Sequence, residues 1–127
     1  MKRDLELIRK ILLALEEKES LSPRELTIEG YASKEISFHC VLLKEAEFID
    51  AIIEPEFNSN TIVLPIRLTW SGFEFLQLSR NETVWKKSIN FLKEKSLSLS
   101  VSLLIELLKS GIKGKSEFID AIKHIGE

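Results

Sequence analysis

The sequence predicts a mainly helical α+β fold with one β-hairpin set among the helices. Apolar residues recur at helical spacing in two early segments, two β-branched-rich segments flank a polar turn cluster, and helical periods resume after them. With 127 residues, 44% hydrophobic and 30% charged, the chain is predicted to form a single domain over 1–127. No repeat, low-complexity tract or Pro/Gly/Ser linker divides it.

Leu5, Ile8, Leu12 and Leu15, widened by Ile11, predict an amphipathic helix from about Asp4 to Lys18, with acids in its first turn and a lysine in its last. Ser20-Leu21-Ser22-Pro23 ends it. Ser22 and Glu25 have capping-box spacing around Pro23, which predicts one short helical turn there. Thr27-Ile28-Glu29-Gly30 then reads as short, extended and closed by glycine.

Ser33 is the predicted cap of a second long helix reaching about Ala46. Ile36, His39, Cys40, Leu43 and Ala46 share one face of it; Lys34, Ser37, Phe38, Val41, Lys44 and Glu45 lie on the other. Phe48 to Glu54 and Thr61 to Leu68 predict a hairpin around Asn58-Ser59-Asn60, with Pro65 confining the second strand to an edge or bulge. Thr69 can cap a helix from Trp70 to about Leu78. Helices follow over about Thr83–Lys95, Val101–Lys109 and Glu117–Ile125, the last two preceded by serines able to cap.

A helix buried on one face and followed at once by a hairpin is the winged-helix arrangement of the helix-turn-helix class. The expected core covers about residues 4–80, with a C-terminal helical extension over about 81–127. A plain α+β domain with these elements in another topology is the alternative.

Met1-Lys2-Arg3-Asp4-Leu5 with Leu7-Ile8-Arg9-Lys10-Ile11-Leu12 resembles a family of small, mostly prophage-associated bacterial proteins known only as a domain of unknown function. The likeness continues in Glu35-Ile36-Ser37-Phe38-His39, Leu42-Leu43-Lys44-Glu45-Ala46, Leu68-Thr69-Trp70-Ser71-Gly72-Phe73-Glu74-Phe75-Leu76 and Thr83-Val84-Trp85-Lys86-Lys87, so that it spans about residues 1–95. The tail from Ser110 is unlike the family. The resemblance implies a winged-helix-like fold and a mobile-element origin, and no activity. Two positions depart from the family pattern. Val41 stands where a basic or polar residue is usual, which removes a cation from the exposed helix face. Glu47 stands where glycine is usual, at a position suited to a left-handed helix cap.

The composition excludes several classes of function. A single cysteine excludes an intrachain disulfide and fits a reducing cytosol, so a cytoplasmic location is expected. Asp4, Glu6, Arg9 and Lys10 interrupt the apolar stretch after Lys2 and Arg3, which argues against a signal peptide, and no stretch is apolar enough to span a membrane. His39 and Cys40 are adjacent and so point about 100° apart on a helix, and the other histidine, His124, lies in the tail. No metal site or other cofactor is expected. Gly111-Ile112-Lys113-Gly114-Lys115-Ser116 lacks the glycine spacing of a phosphate-binding loop and reads as a glycine-terminated helix followed by a Ser116 cap. Asn81-Glu82-Thr83 reads as a helix start, and Trp70, Trp85, Phe73 and Phe75 as core or dimer surface rather than base-stacking groups. With no catalytic constellation evident, the chain is expected not to be an enzyme.

A binding protein remains, with protein or DNA as its partner. DNA-binding winged helices draw much of their affinity from cations on phosphates. Residues 1–50 hold eight basic and eleven acidic side chains, and only 81–127, with eight against six, are positive. The wing tip Glu54-Pro55-Glu56-Phe57-Asn58-Ser59-Asn60 has no cation. On the 33–46 helix, Lys34 and Lys44 could reach phosphates and Ser37 a base edge, but Phe38 and Val41 lie between them, an apolar pair with a charged rim. These five residues form the candidate partner-binding face. An equal alternative is that Phe38 is covered by the segment near Tyr31 or by the C-terminal helices. The reading favours a protein partner or self-association; the alternative is a transcriptional regulator using the 33–46 helix and the 49–68 wing on DNA.

Overall fold

The computed structural model describes residues 2–55, 61–95 and 101–126. The elements in chain order are α1 (Leu5–Glu16), α2 (Ser33–Glu45), β1 (Ile49–Pro55), β2 (Thr61–Leu68), α3 (Trp70–Leu78), α4 (Glu82–Glu94), α5 (Val101–Lys113) and α6 (Lys115–Gly126). The described residues thus form a mostly helical α+β structure with one two-stranded antiparallel hairpin. They divide into two compact units, residues 1–76 and 77–127.

In the first unit, Asp4 caps α1, its carboxylate accepting from the Glu6 and Leu7 amides at 3.0 and 3.2 Å. The buried stripe of α1 is wider than five apolar residues, since Leu7 is fully buried and Arg9 is buried as well. The helix ends at Glu16, so Lys18 is not in its last turn. The Lys18 amine instead reaches the carbonyls of Ser20, Ser22 and Ile66. The expected turn after Pro23 is absent: residues 21–28 carry no regular structure until the turn at Glu29-Gly30. The Ser22 carbonyl is held by Lys18, and the Arg24 amide donates to the Pro65 carbonyl of β2 at 3.3 Å. Those bonds hold the segment extended against local capping chemistry.

The α2 helix begins at Ser33 itself, so its cap lies one residue before the predicted one. Ala32 is the N-cap, and its amide donates to the Glu35 carboxylate at 3.3 Å. Ile36, His39, Cys40 and Leu43 are buried as the periodicity predicts, whereas Ala46 is exposed at the C-cap. There the Phe48 amide reaches back to the Leu43 carbonyl at 2.9 Å and the Glu47 amide to that of Lys44 at 3.0 Å. That pair of bonds is a Schellman closure, with Glu47 at φ 64 in the left-handed position. Glutamate therefore keeps the turn that glycine would make without strain.

The hairpin pairs Ile49 with Leu68 and Asp50 with Arg67, then shifts register so that Ala51 faces Pro65 and Pro55 faces Thr61. Pro65, which has no amide to give the ladder, thus sits beside the bulge, as a proline in a strand requires. The Asn58-Ser59-Asn60 turn lies outside the described residues. Ile49, Val63 and Leu68 are buried in the core with α1 and α2. After β2, the Thr69 hydroxyl accepts from the Gly72 amide at 3.2 Å and donates to the Glu47 carbonyl at 2.6 Å. One threonine thereby starts α3 and ties it to the end of α2. Phe75 stacks on Phe48 with ring centroids 5.3 Å apart, and a Cβ on Gly72 would lie 2.0 Å from the Phe48 carbonyl oxygen.

In the second unit, the Asn81 side chain caps α4 by accepting from the Val84 amide at 3.1 Å. Trp85, Leu92, Leu104, Leu107 and Leu108 are fully buried. The α5 helix does not stop at Gly111. It runs to Lys113 and breaks at Gly114, whose φ of +141 suits glycine, so Ser116 falls inside α6 rather than at its cap. Gly111, inside α5, is a glycine that the packing of α4 requires, since a Cβ there would meet Val84 Cγ1 at 2.3 Å. The serines expected to cap α5 lie outside the described residues.

Candidate partner-binding groove

An open groove of about 620 Å³ runs between α2 and β2 in the first unit. Four of the five residues of the predicted face line it: Lys34, Ser37, Phe38 and Val41. Phe38 and Val41 are half-buried, neither free on the surface nor in the core. Ile36 and Cys40 contribute to the lining beside them, so the groove takes in both sides of the helix's apolar boundary. The opposite wall is Thr61, Ile62, Val63 and Pro65, and Glu25 with Leu26 complete the lining. The fifth predicted residue, Lys44, is elsewhere. Its amine donates to the Ala51 carbonyl at 2.6 Å, joining α2 to β1.

The helix side of the groove is held rigidly. His39, buried next to Phe38, takes the Asp4 amide on Nε2 at 2.8 Å and lies 2.7 Å from the Glu35 carbonyl through Nδ1. An amide can only donate, so Nε2 is the unprotonated nitrogen and Nδ1 donates to Glu35. Phe38 meets this fixed ring edge-on, with centroids 5.3 Å apart. With both its nitrogens engaged, His39 positions α2 on α1. Cys40 is 1% exposed, and burial pushes its thiol up to about 12, so it remains a neutral apolar group at neutral pH. Among the described residues no three His, Cys, Asp or Glu side chains converge as metal ligands, and no helix is long and apolar enough to cross a membrane.

Lys34 is the cation among the groove's lining residues, opposed there by the Glu25 carboxylate, and other cations of this unit are held away from it. Lys18 and Lys44 are bound to carbonyls, and Arg67 pairs with Asp50 at 2.8 Å. Residues 51–66 contain no lysine or arginine, while Ile52 and Ile53 are exposed on β1.

Sequence reasoning did not identify the strand side of the groove. Those residues meet α2 only through the fold, and no local spacing marks them. It took Trp70, Phe73, Phe75 and Trp85 together as core or dimer surface, and the structure divides them. Trp70 is 80% and Phe73 49% exposed, while Phe75 and Trp85 are buried. Trp70 Nε1 donates to the Glu74 carboxylate one turn on.

No solved structure matches the chain. A Haemophilus influenzae protein described only as uncharacterized is 38% identical over 114 residues, covering 87% of this chain and 94% of its own length. A family model described as hypothetical protein (DUF2513) matches residues 2–98, which include every groove residue. The chain belongs to the DUF2513 family.

Proposed function

We propose that this protein is a non-enzymatic binding protein of winged-helix type, of prophage origin, that regulates or inhibits a protein partner through the groove between α2 and β2. The observation that carries this reading is the chemistry of the groove. Phe38 and Val41 stand half-open beside Ile36 and Cys40, with Lys34, Ser33 and Ser37 at the rim. An aromatic anchor in an apolar cleft with a polar edge is the anatomy of a protein interface. The order of helix, second helix and hairpin supports the winged-helix assignment, in a reduced form whose 21–28 segment is extended where a helix-turn-helix has its first helix.

The second reading, a transcriptional regulator laying α2 in the major groove, is favoured by that same element order. It requires cations at the phosphates. The Lys44 amine is committed to Ala51, and the wing supplies carboxylates rather than cations.

Titration with random duplex DNA at about 0.15 M salt separates the two readings. Weak binding with a shallow salt dependence is expected; tight binding that falls steeply with salt, the sign of many phosphate contacts, would overturn the protein-partner reading. Changing Phe38→Ala and Val41→Lys together is expected to abolish capture of a protein partner from host lysate. Because both side chains are half-buried, the cost in stability should be about 1–2 kcal/mol, below the roughly 3–5 kcal/mol of a core phenylalanine truncation.

A further inference from the structure

In an antiparallel ladder, a residue turns its N–H and C=O to the same side, and the side alternates along the strand. The Pro65 carbonyl accepts from the Arg24 amide, so at Pro65 the backbone faces away from β1. Val63 and Thr61 share that phase, each facing its β1 partner across a pair of the same kind: Ile53 opposite Val63 and Pro55 opposite Thr61. Their amides and carbonyls therefore point away from the hairpin, toward the groove that both residues line. Among the described residues, no backbone bond other than that from Arg24 reaches this edge of β2. Proline has no amide, so a third strand is begun at residue 65 and left off.

The groove thus combines an unpaired strand edge with an apolar wall. From Thr61 to Pro65 the edge runs about 13 Å at roughly 3.3 Å per residue, room for four or five residues of extended chain. Facing it across the groove are Phe38 and Val41, placed to receive the side chains that an added strand turns toward α2. A bound helix has its backbone groups paired internally and offers nothing to the Val63 and Thr61 amides. A nucleic-acid backbone would find Lys34 and Glu25 together at the lining, with little net charge to recognise.

We propose that the groove between α2 and the outer edge of β2 takes an extended segment of a partner protein as a third strand, paired through the backbone of Thr61 and Val63 with an apolar side chain against Phe38 and Val41. This rests on the protein-partner reading and specifies the form of the partner. Strand addition draws affinity from main-chain bonds and specificity from alternate side chains. The segment is therefore one of alternating apolar and polar residues without proline at the pairing positions.

The test uses the full chain and random twelve-residue peptides displayed for selection, followed by synthesis of the best binder. Selected peptides are expected to alternate in polarity, to slow hydrogen exchange at the Thr61 and Val63 amides at least tenfold, and to weaken at least tenfold on the Phe38→Ala variant. N-methylating every second peptide amide should abolish binding in one phase and spare it in the other. Peptides that bind at Phe38 while Thr61 and Val63 exchange freely, or that tolerate N-methylation in both phases, would overturn strand addition and leave the protein-partner reading standing. A selection yielding no groove binder, or protection of these amides through self-association as concentration rises, would also overturn it. Tight, salt-sensitive DNA binding would remove the protein-partner reading itself.

Discussion

Replacing Glu47 by glycine should stabilise the protein, by an amount that follows from its place at the end of α2. Glu47 is exposed and closes the helix with φ 64. Holding an L side chain in that left-handed conformation costs roughly 1–2 kcal/mol, because Cβ crowds the following carbonyl. Glycine removes this strain but loses more backbone freedom on folding, which returns about 0.5–1 kcal/mol. Removing a carboxylate from the negative end of a helix adds a few tenths of a kcal/mol. The net is a gain of about 1 kcal/mol, or about 3–5 °C in midpoint for a chain of this size. Thermal and urea melts followed by circular dichroism read it. Glu47→Ala keeps Cβ, and Glu47→Gln keeps the strain but not the charge, so both should gain no more than a few tenths of a kcal/mol. The Schellman bonds involve only backbone and survive all three changes. If Glu47→Gly is no more stable than Glu47→Ala, the strain argument is wrong.

Gly72→Ala should be strongly destabilising, by roughly 1–3 kcal/mol or more in urea melts, since its Cβ would lie 2.0 Å from the Phe48 carbonyl oxygen and backbone cannot move aside as a side chain can. Cys40 ties stability to alkaline pH. Its folded thiol lies at about 12 against an ordinary 9.0, so both states are protonated below about pH 9 and the full stability is present there. Above that the unfolded thiol ionises and the folded one does not, so stability falls with rising pH toward 12 by at most about 1.4 kcal/mol per pH unit. Urea melts at several alkaline pH values should show this slope in the parent and a shallower one in Cys40→Ala. Equal slopes would mean that the thiol does not carry it.

The regular elements were legible because each carries its own signal. The apolar stripe of α1, the Thr69 cap of α3, the Asn81 cap of α4 and the two strands around a polar turn are local patterns, and their counterparts stand in the structure. Long-range backbone bonds were not legible. Ser22 and Glu25 have the spacing of a helix start, yet the chain between them is extended, because Lys18 holds the Ser22 carbonyl and Pro65 takes the Arg24 amide. Gly111 looked like a helix end, but its lack of a side chain serves the approach of Val84. The candidate site divides along the same line. Its helix wall follows from the wheel of α2, whereas its strand wall depends on which residues the hairpin presents across space. In α3 the polar residues Glu74 and Gln77 flank Trp70 on the helical wheel, a signal that sets this exposed side chain apart from buried Phe75 and that a reading of the four aromatics as one group passes over.

Two of this chain's lysines are used in its framework. In a DNA-binding winged helix, lysines near the recognition helix and the wing are left free for phosphates. Here Lys18 spans from the end of α1 to the carbonyls of Ser20, Ser22 and Ile66, and Lys44 spans from α2 to Ala51 of β1. Each amine ties a helix to a strand or to the extended segment, so neutralising either would loosen the framework instead of merely lowering surface charge. Segment 21–28, held extended, touches β2 at Arg24, while Glu25 and Leu26 line the groove beyond. Beyond Arg24, no backbone bond among the described residues reaches the Val63 and Thr61 edge. Two amines held by carbonyls and an unpaired strand edge beside Phe38 both weigh toward the polypeptide partner proposed above.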